Sequence, residues 1–134
     1  MKVIYIAGPY RAKTPWGVEK NIHKAKELAA QLVERCHALG AYPHVPHANT
    51  AHFDGLAPDD YYLDGTLESM RRCDALLMVP GWEASSGARG EVKEAKRLGL
   101  PIFYSIEELE SWLRFECSPI GSELQTETPA QKTQ

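Results

Sequence analysis

Four times along this chain an apolar, β-rich run gives way to a segment whose apolar residues recur at helical spacing, and that repeated change of period limits the fold more than any other feature. Lys2–Ala7 is apolar and β-branched almost throughout, the signature of a strand buried on both faces, and it ends at Gly8-Pro9. Between Trp16 and Leu39 the positions Ile22, Ala25, Leu28, Ala29, Leu32, Val33 and Cys36 fit one helix, which Gly40 closes. Ala41–Pro46 is a short extended stretch whose prolines assign it to a strand end or a sheet edge, and His47–Pro58 reads as a loop. A second helix is predicted from Asp59 to Arg72 with Tyr62, Leu63, Leu67 and Met70 inward, followed by a buried strand over Asp74–Pro80. The loop Gly81–Gly87 feeds a third helix over Ala88–Leu98, capped by Gly99. Pro101–Tyr104 is the last strand, and Ser105 caps a helix over Ile106–Phe115.

The order strand-helix, repeated, predicts a parallel sheet with helices on both faces and right-handed crossovers. The 134 residues suit one domain, taken as 1–117. From Ser118 to Gln134 the chain is polar with little to bury and is expected to be a disordered tail. Fifteen basic against eighteen acidic residues give a formal charge of −3, which argues against bulk electrostatic binding of a nucleic acid polymer. The longest apolar run is far short of the roughly 20 residues of a membrane span, and a signal peptide is not expected. Three scattered cysteines, Cys36, Cys73 and Cys117, read as reduced cytoplasmic thiols.

In a parallel sheet ligands bind beyond the carboxyl ends of the strands. Gly8–Arg11, Pro46–Asn49 and Gly81–Glu91 are therefore expected to share one cleft. The small-residue loop before the third helix (Gly81-Trp-Glu-Ala-Ser-Ser-Gly87) lets backbone N–H groups approach an anion, with Ser85 and Ser86 as hydroxyl donors. The same loop also reads as a plain strand-helix connection with a serine cap. Glu91, one turn further on, would face the cleft as a nucleophile or base, its charge favoured by the helix N-terminus. It reads equally as a dipole partner or a surface ion pair of Lys93, Lys96 or Arg97.

The ordered set Tyr5-x-x-Gly8-x-x-Arg11, Cys73-Asp-Ala-Leu-Leu-Met-Val-Pro80 and Ser85-x-Gly87-x-x-x-Glu91-x-x-x-Ala95-x-x-x-Gly99-x-Pro101 resembles the nucleoside 2-deoxyribosyltransferase superfamily. The Pro80-Gly-Trp-Glu-x-Ser-x-Gly-Ala-x-x-Glu91 form is similar to its DUF4406-like branch. The resemblance implies a flavodoxin- or Rossmann-like three-layer fold with a small sheet of four or five parallel strands. It also implies a nucleophilic Glu91 that attacks C1′, releases the base, and passes the sugar to water or to another base. Tyr5 matches the tyrosine that hydrogen-bonds the nucleophile. The position six before the nucleophile tends to be Asp in transferases acting on free nucleosides and Ser in hydrolases of nucleoside 5′-monophosphates; here it is Ser85. Arg11 matches a phosphate contact of the hydrolases, and Gly8, Pro9 and Gly87 accompany it in the binding loops.

One position departs from the family's pattern. The Asp that serves leaving-group protonation falls, counted without gaps, on Thr66, while Asp64 lies two residues earlier. Either Asp64 takes the role through a shifted helix or the base is protonated otherwise. His44 and His47, flanking Pro46, are candidates to contact a base or phosphate. Trp82 would either stack on a base or anchor its loop. No metal or other cofactor is expected: His44, His47 and His52 lack acidic or thiol partners at ligand spacing. The partners implied are a small nucleotide or nucleoside and a second copy of the chain, in a homodimer or larger homo-oligomer that completes the cleft.

Overall fold

The structure, a computed structural model, describes residues 1–117. The proposed tail over 118–134 lies outside the described residues. In chain order the elements are β1 (Lys2–Ala7), α1 (Pro15–Cys36), β2 (Ala41–His44), α2 (Pro46–Asn49), α3 (Asp59–Arg71), β3 (Ala75–Met78), α4 (Ser86–Leu98), β4 (Ile102–Phe103) and α5 (Ile106–Cys117). Single 3-10 turns follow α1 (His37–Leu39) and precede α4 (Trp82–Ala84). The four strands form one all-parallel sheet in the order β2-β1-β3-β4. The chain moves outward from β1 to β2, then crosses back to β3, so the switch in strand order lies between β1 and β3.

The alternation of side chains along the central strand divides the interior into two layers. Ile4 and Ile6 point to one face, with Leu28 and Leu32 of α1 and Leu109 and Leu113 of α5 packed over them. Tyr5 and Ala7 point to the other, together with Met70 of α3 and Val92 and Ala95 of α4. β1 is apolar after Lys2 because both of its faces are covered. Each large aliphatic side chain so buried contributes roughly 1.5–3 kcal/mol of transfer free energy. The Asp74 carboxylate, just before β3, accepts the Val3 N–H at 2.7 Å and serves the start of the sheet, away from its carboxyl edge.

The element boundaries differ from the sequence reading where local capping decides them. α1 starts at Pro15 because the Thr14 hydroxyl accepts the Gly17 N–H at 3.0 Å, and it tightens into a 3-10 turn before Gly40 at φ 80°. β2 stops at His44 because Pro46 starts α2, a short helix inside the segment read as loop. α4 begins two residues earlier than predicted, at Ser86, with Ser85 as its cap. α5 runs two residues further, to Cys117. Leu63 is exposed and not inward, since α3 turns only Met70 fully into the core and half-buries Leu67 and Tyr62.

Candidate active site

Tyr5 is fully buried in the central strand β1, level with the carboxyl end of β2 and on the face covered by α3 and α4, and its phenol donates a hydrogen bond to Oε2 of Glu91. Glu91 is the sixth residue of α4 and shares its inner face with the buried Ala88 and Ala95, three residues before and four after. Its side chain is therefore half-buried. Burial pushes the carboxyl up to about 7, while the Tyr5 hydrogen bond pulls it down. Burial and the neighbouring Glu91 charge raise the Tyr5 phenol well above its ordinary value, so it keeps its proton and acts as the donor. A third group stands beside the pair: the Thr66 hydroxyl of α3, which donates to the Leu63 carbonyl, lies near Tyr5 and shifts the phenol the other way.

The loop after β1 is held from below. His47 of α2 is only 4% exposed, and its Nε2 lies 3.0 Å from the Gly8 carbonyl oxygen and 2.9 Å from that of Pro9. Both partners are acceptors, so Nε2 carries the hydrogen and Nδ1 holds a lone pair, buried without a partner. Burial lowers the His47 imidazole, in keeping with a neutral ring. His47 is thus a strut beneath the Gly8-Pro9 turn and offers no surface to a ligand. Gly8 itself is required by packing: a Cβ there would lie 2.6 Å from Cβ of Val79 at the end of β3. Arg11 is exposed and pairs with Asp59 at the start of α3, 3.3 Å away. The Tyr10 hydroxyl donates to Asp54 at 3.2 Å, and His52, at φ 64°, pairs with Glu19, which fastens the 50–58 loop to the β1–α1 connection.

On the other side of the switch point, Gly81 at φ 87° turns the chain out of β3. Trp82 packs its ring 5.9 Å from that of Tyr104 and covers the lower core, so it anchors this loop. The Arg89 guanidinium donates to the Glu83 carbonyl at 2.7 Å. Ser85 accepts the Ala88 N–H at 3.1 Å and retains its hydroxyl hydrogen for another partner; Ser86 and Gly87, the first residues of α4, are exposed.

A cleft of about 580 Å³ runs along α3, within the roughly 300–1,000 Å³ range of small-ligand sites. His44, Asn49, Tyr61, Tyr62, Asp64 and Thr66 are among the residues that line it. His44, whose ring lies 5.8 Å from that of Tyr5, and Thr66 also neighbour the tyrosine, so these two lining residues lie between the cleft and the buried Tyr5–Glu91 pair. Burial lowers His44. Asp64 is exposed on the rim, and at about 100° per residue along α3 it stands roughly 200° around the helix from Thr66. Among the described residues no three His, Cys, Asp or Glu side chains are grouped to hold a metal ion, and no helix is long and apolar enough to cross a membrane. The contribution of Thr66 was open in the sequence only as a gapless spacing, and that of Tyr61 and Tyr62 as two adjacent aromatics on a helix.

Comparison with known proteins agrees with this architecture. Two solved structures share the fold. One is the 2-deoxyribosyltransferase of the psychrotolerant bacterium Bacillus psychrosaccharolyticus, at a TM-score of 0.51 and 18% identity over 75% of this chain and 69% of that one. The other is a 2-deoxyribosyltransferase from Leishmania mexicana, at a TM-score of 0.52 and 22% identity over 76% of this chain and 62% of that one. No curated protein sequence matches. Residues 2–104, which carry all four strands and every residue of the site just described, match the domain of unknown function DUF4406, and the chain belongs to that family, built on the fold of the 2-deoxyribosyltransferases.

Proposed function

We propose that this protein cleaves the N-glycosidic bond of a nucleoside 5′-monophosphate through a covalent glycosyl–Glu91 intermediate and passes the sugar to water or to a second base. The observation that carries the reading is the buried Tyr5 phenol donating to the Glu91 carboxylate at the carboxyl edge of the sheet. That bond fixes one carboxylate oxygen and leaves the other to attack C1′. A carboxyl near 7 is ionised in a large fraction of molecules at neutral pH, and its poor solvation makes the ionised form more nucleophilic. The fold shared with 2-deoxyribosyltransferases supports glycosyl transfer as the reaction class.

For the phosphate, the Ser85 hydroxyl would donate from the cap of α4 beside the backbone of Ser86 and Gly87, where the helix N-terminus favours negative charge. Arg11 would exchange Asp59 for the phosphate. Its present partner is exposed, so the exchange costs little. Gly8 and Pro9 shape that loop and His44 faces the base. Exposed Tyr42, Tyr61 and Leu63 support a second copy packing beside the cleft, in a cytoplasmic homodimer.

The test is incubation with a panel of ribo- and deoxyribonucleosides and their monophosphates, with free base measured by chromatography and the glycosyl–Glu91 adduct sought by mass spectrometry. Release from monophosphates supports the reading. Preference for free nucleosides favours a transferase in its place, and tight binding without base release leaves a nucleotide-binding module.

A further inference from the structure

Glycosidic cleavage ordinarily needs a proton on the departing base, and the groups around the Tyr5–Glu91 pair bear on where that proton comes from. The Glu91 carboxyl is raised by burial and accepts a hydrogen bond from Tyr5. The third group at the pair is the Thr66 hydroxyl, which donates to the Leu63 carbonyl at 2.9 Å and is far too weak an acid to protonate a leaving base. The other titratable side chains of the cleft do not fill the role. Asp64 lines the rim but is exposed there, roughly 200° around α3 from Thr66 and so turned away from the Tyr5–Glu91 pair. Glu68 pairs with Arg71 and Arg72, which hold its carboxylate ionised. His44 is desolvated toward its neutral form, and the Tyr62 hydroxyl donates to the Phe53 carbonyl at 2.6 Å.

Resting on the glycosidase reading above, we infer that the preferred substrate is a nucleotide whose base already carries the positive charge, a cationic N-glycoside such as a pyridinium or an N-alkylated purinium. The cleft suits a cation in two further respects. Tyr61 and Tyr62, edge to face with centroids 5.3 Å apart, line it with aromatic surface that attracts a flat cation. Asp64 adds a carboxylate to the same lining, beside the Glu68–Arg71 ion pair. A cation against Glu91 also favours the ionised nucleophile over the protonated acid.

The step balances without a general acid. One Glu91 oxygen forms a bond to C1′ as the C1′–N bond breaks, and the bonding pair returns to the ring nitrogen and cancels its positive charge. The base leaves neutral. Water then attacks C1′, the C1′–O bond to Glu91 breaks, and one proton passes to solvent. A neutral base leaving by the same path would depart as an anion.

The full chain is assayed with nicotinamide mononucleotide and 7-methylguanosine 5′-monophosphate against AMP and GMP, with spontaneous hydrolysis subtracted. General acids contribute about 10²–10⁴-fold, so kcat/KM for each cation should exceed that for the neutral nucleotides by at least about 100-fold. With nicotinamide mononucleotide, whose base has no proton to lose in this range, kcat/KM should rise through a single ionisation and stay level on the alkaline side. Thr66→Asp, which supplies an acid beside Tyr5, should raise release of neutral bases and narrow the preference at least about tenfold, whereas Thr66→Asn should not. Equal rates on GMP and its 7-methyl form, or a bell-shaped profile with nicotinamide mononucleotide, overturn the inference and leave the glycosidase reading standing. Absence of base release from every substrate removes that reading as well.

Discussion

Tyr5 and Glu91 lie 86 residues apart and meet at the carboxyl edge of the sheet, the phenol of the central strand donating to the carboxylate of α4. The partners come from opposite sides of the switch between β1 and β3, so the bond forms only in the assembled fold. It also joins an acid and a phenol that are both pushed up by burial. A pair so arranged puts stability and reactivity under the control of one proton.

Glu91→Gln should abolish base release, with kcat down at least about 10³-fold, because an amide is not a nucleophile toward C1′ while still accepting from Tyr5. Stability should change in the opposite direction. The folded carboxyl is raised from 4.5 to about 7, so the native state binds more protons than the unfolded chain across that window and stability falls as pH rises through it. A shift of that size is worth about 3 kcal/mol at pH 8. Glu91→Gln should therefore melt several degrees higher than wild type at pH 8 and nearly level with it at pH 4.5, by circular dichroism. A lower melting temperature at pH 8 would show that the carboxylate is better solvated than its surroundings imply.

Tyr5→Phe removes the donor that lowers the Glu91 carboxyl. The ionised fraction at neutral pH drops and the attacking oxygen loses its orientation, so kcat should fall by roughly 10–100-fold. The diagnostic is the acid limb of kcat/KM, which reports the free enzyme. It should move to higher pH in the variant, with KM little changed. A loss of activity without that displacement would make Tyr5 a packing residue alone.

The sheet was readable because β1 and β3 are apolar on both faces, which only a covered parallel strand needs, and because Gly40 and Gly99 stop their helices in the left-handed region. Ser85 carries a capping hydroxyl that its sequence position announces. Other features depend on what folds over a residue, and composition carries little trace of that. The raised Glu91 carboxyl follows from the packing of α4 on the sheet. The inward turn of His47 follows from α2, a helix too short to show a period. The pairing of Arg11 with Asp59 arises only when α3 packs beside the β1–α1 loop.

His47 offers a test of how the β1–α1 loop is held. Its imidazole is lowered by burial, so the unfolded chain takes up a proton near 6.5 that the native state resists. Stability contributed by the neutral ring is present above that pH and is lost as pH falls below it. His47→Gln keeps an N–H donor for the Gly8 and Pro9 carbonyls and should cost about 1–3 kcal/mol at pH 7.5. That penalty should shrink toward pH 5, where wild type alone meets the cost of protonation. Urea midpoints of the two proteins at both pH values measure it; an equal penalty would mean that His47 remains solvated.

The choice between substrates turns on Ser85, and its capping bond to Ala88 complicates the obvious substitution. Ser85→Ala removes both a phosphate donor and a cap worth about 1 kcal/mol, so lost activity would not separate recognition from a frayed helix. Ser85→Asp separates them. Aspartate caps a helix as well as serine, and its charge suits the N-terminus of α4, so the melting temperature should hold or rise. Toward a 5′-phosphate dianion the same carboxylate is repulsive and has no hydrogen to donate. KM for monophosphates should rise by roughly 10–100-fold, a charge-assisted contact being worth about 1.5–3 kcal/mol. Free nucleosides should be affected little or bound better, through a sugar hydroxyl donating to the new carboxylate. Arg11→Ala should weaken monophosphates alone, and Asp59→Asn, which releases Arg11 from its partner, should strengthen them modestly. If Ser85→Asp keeps the wild-type preference for monophosphates while remaining folded, the phosphate binds elsewhere in the cleft.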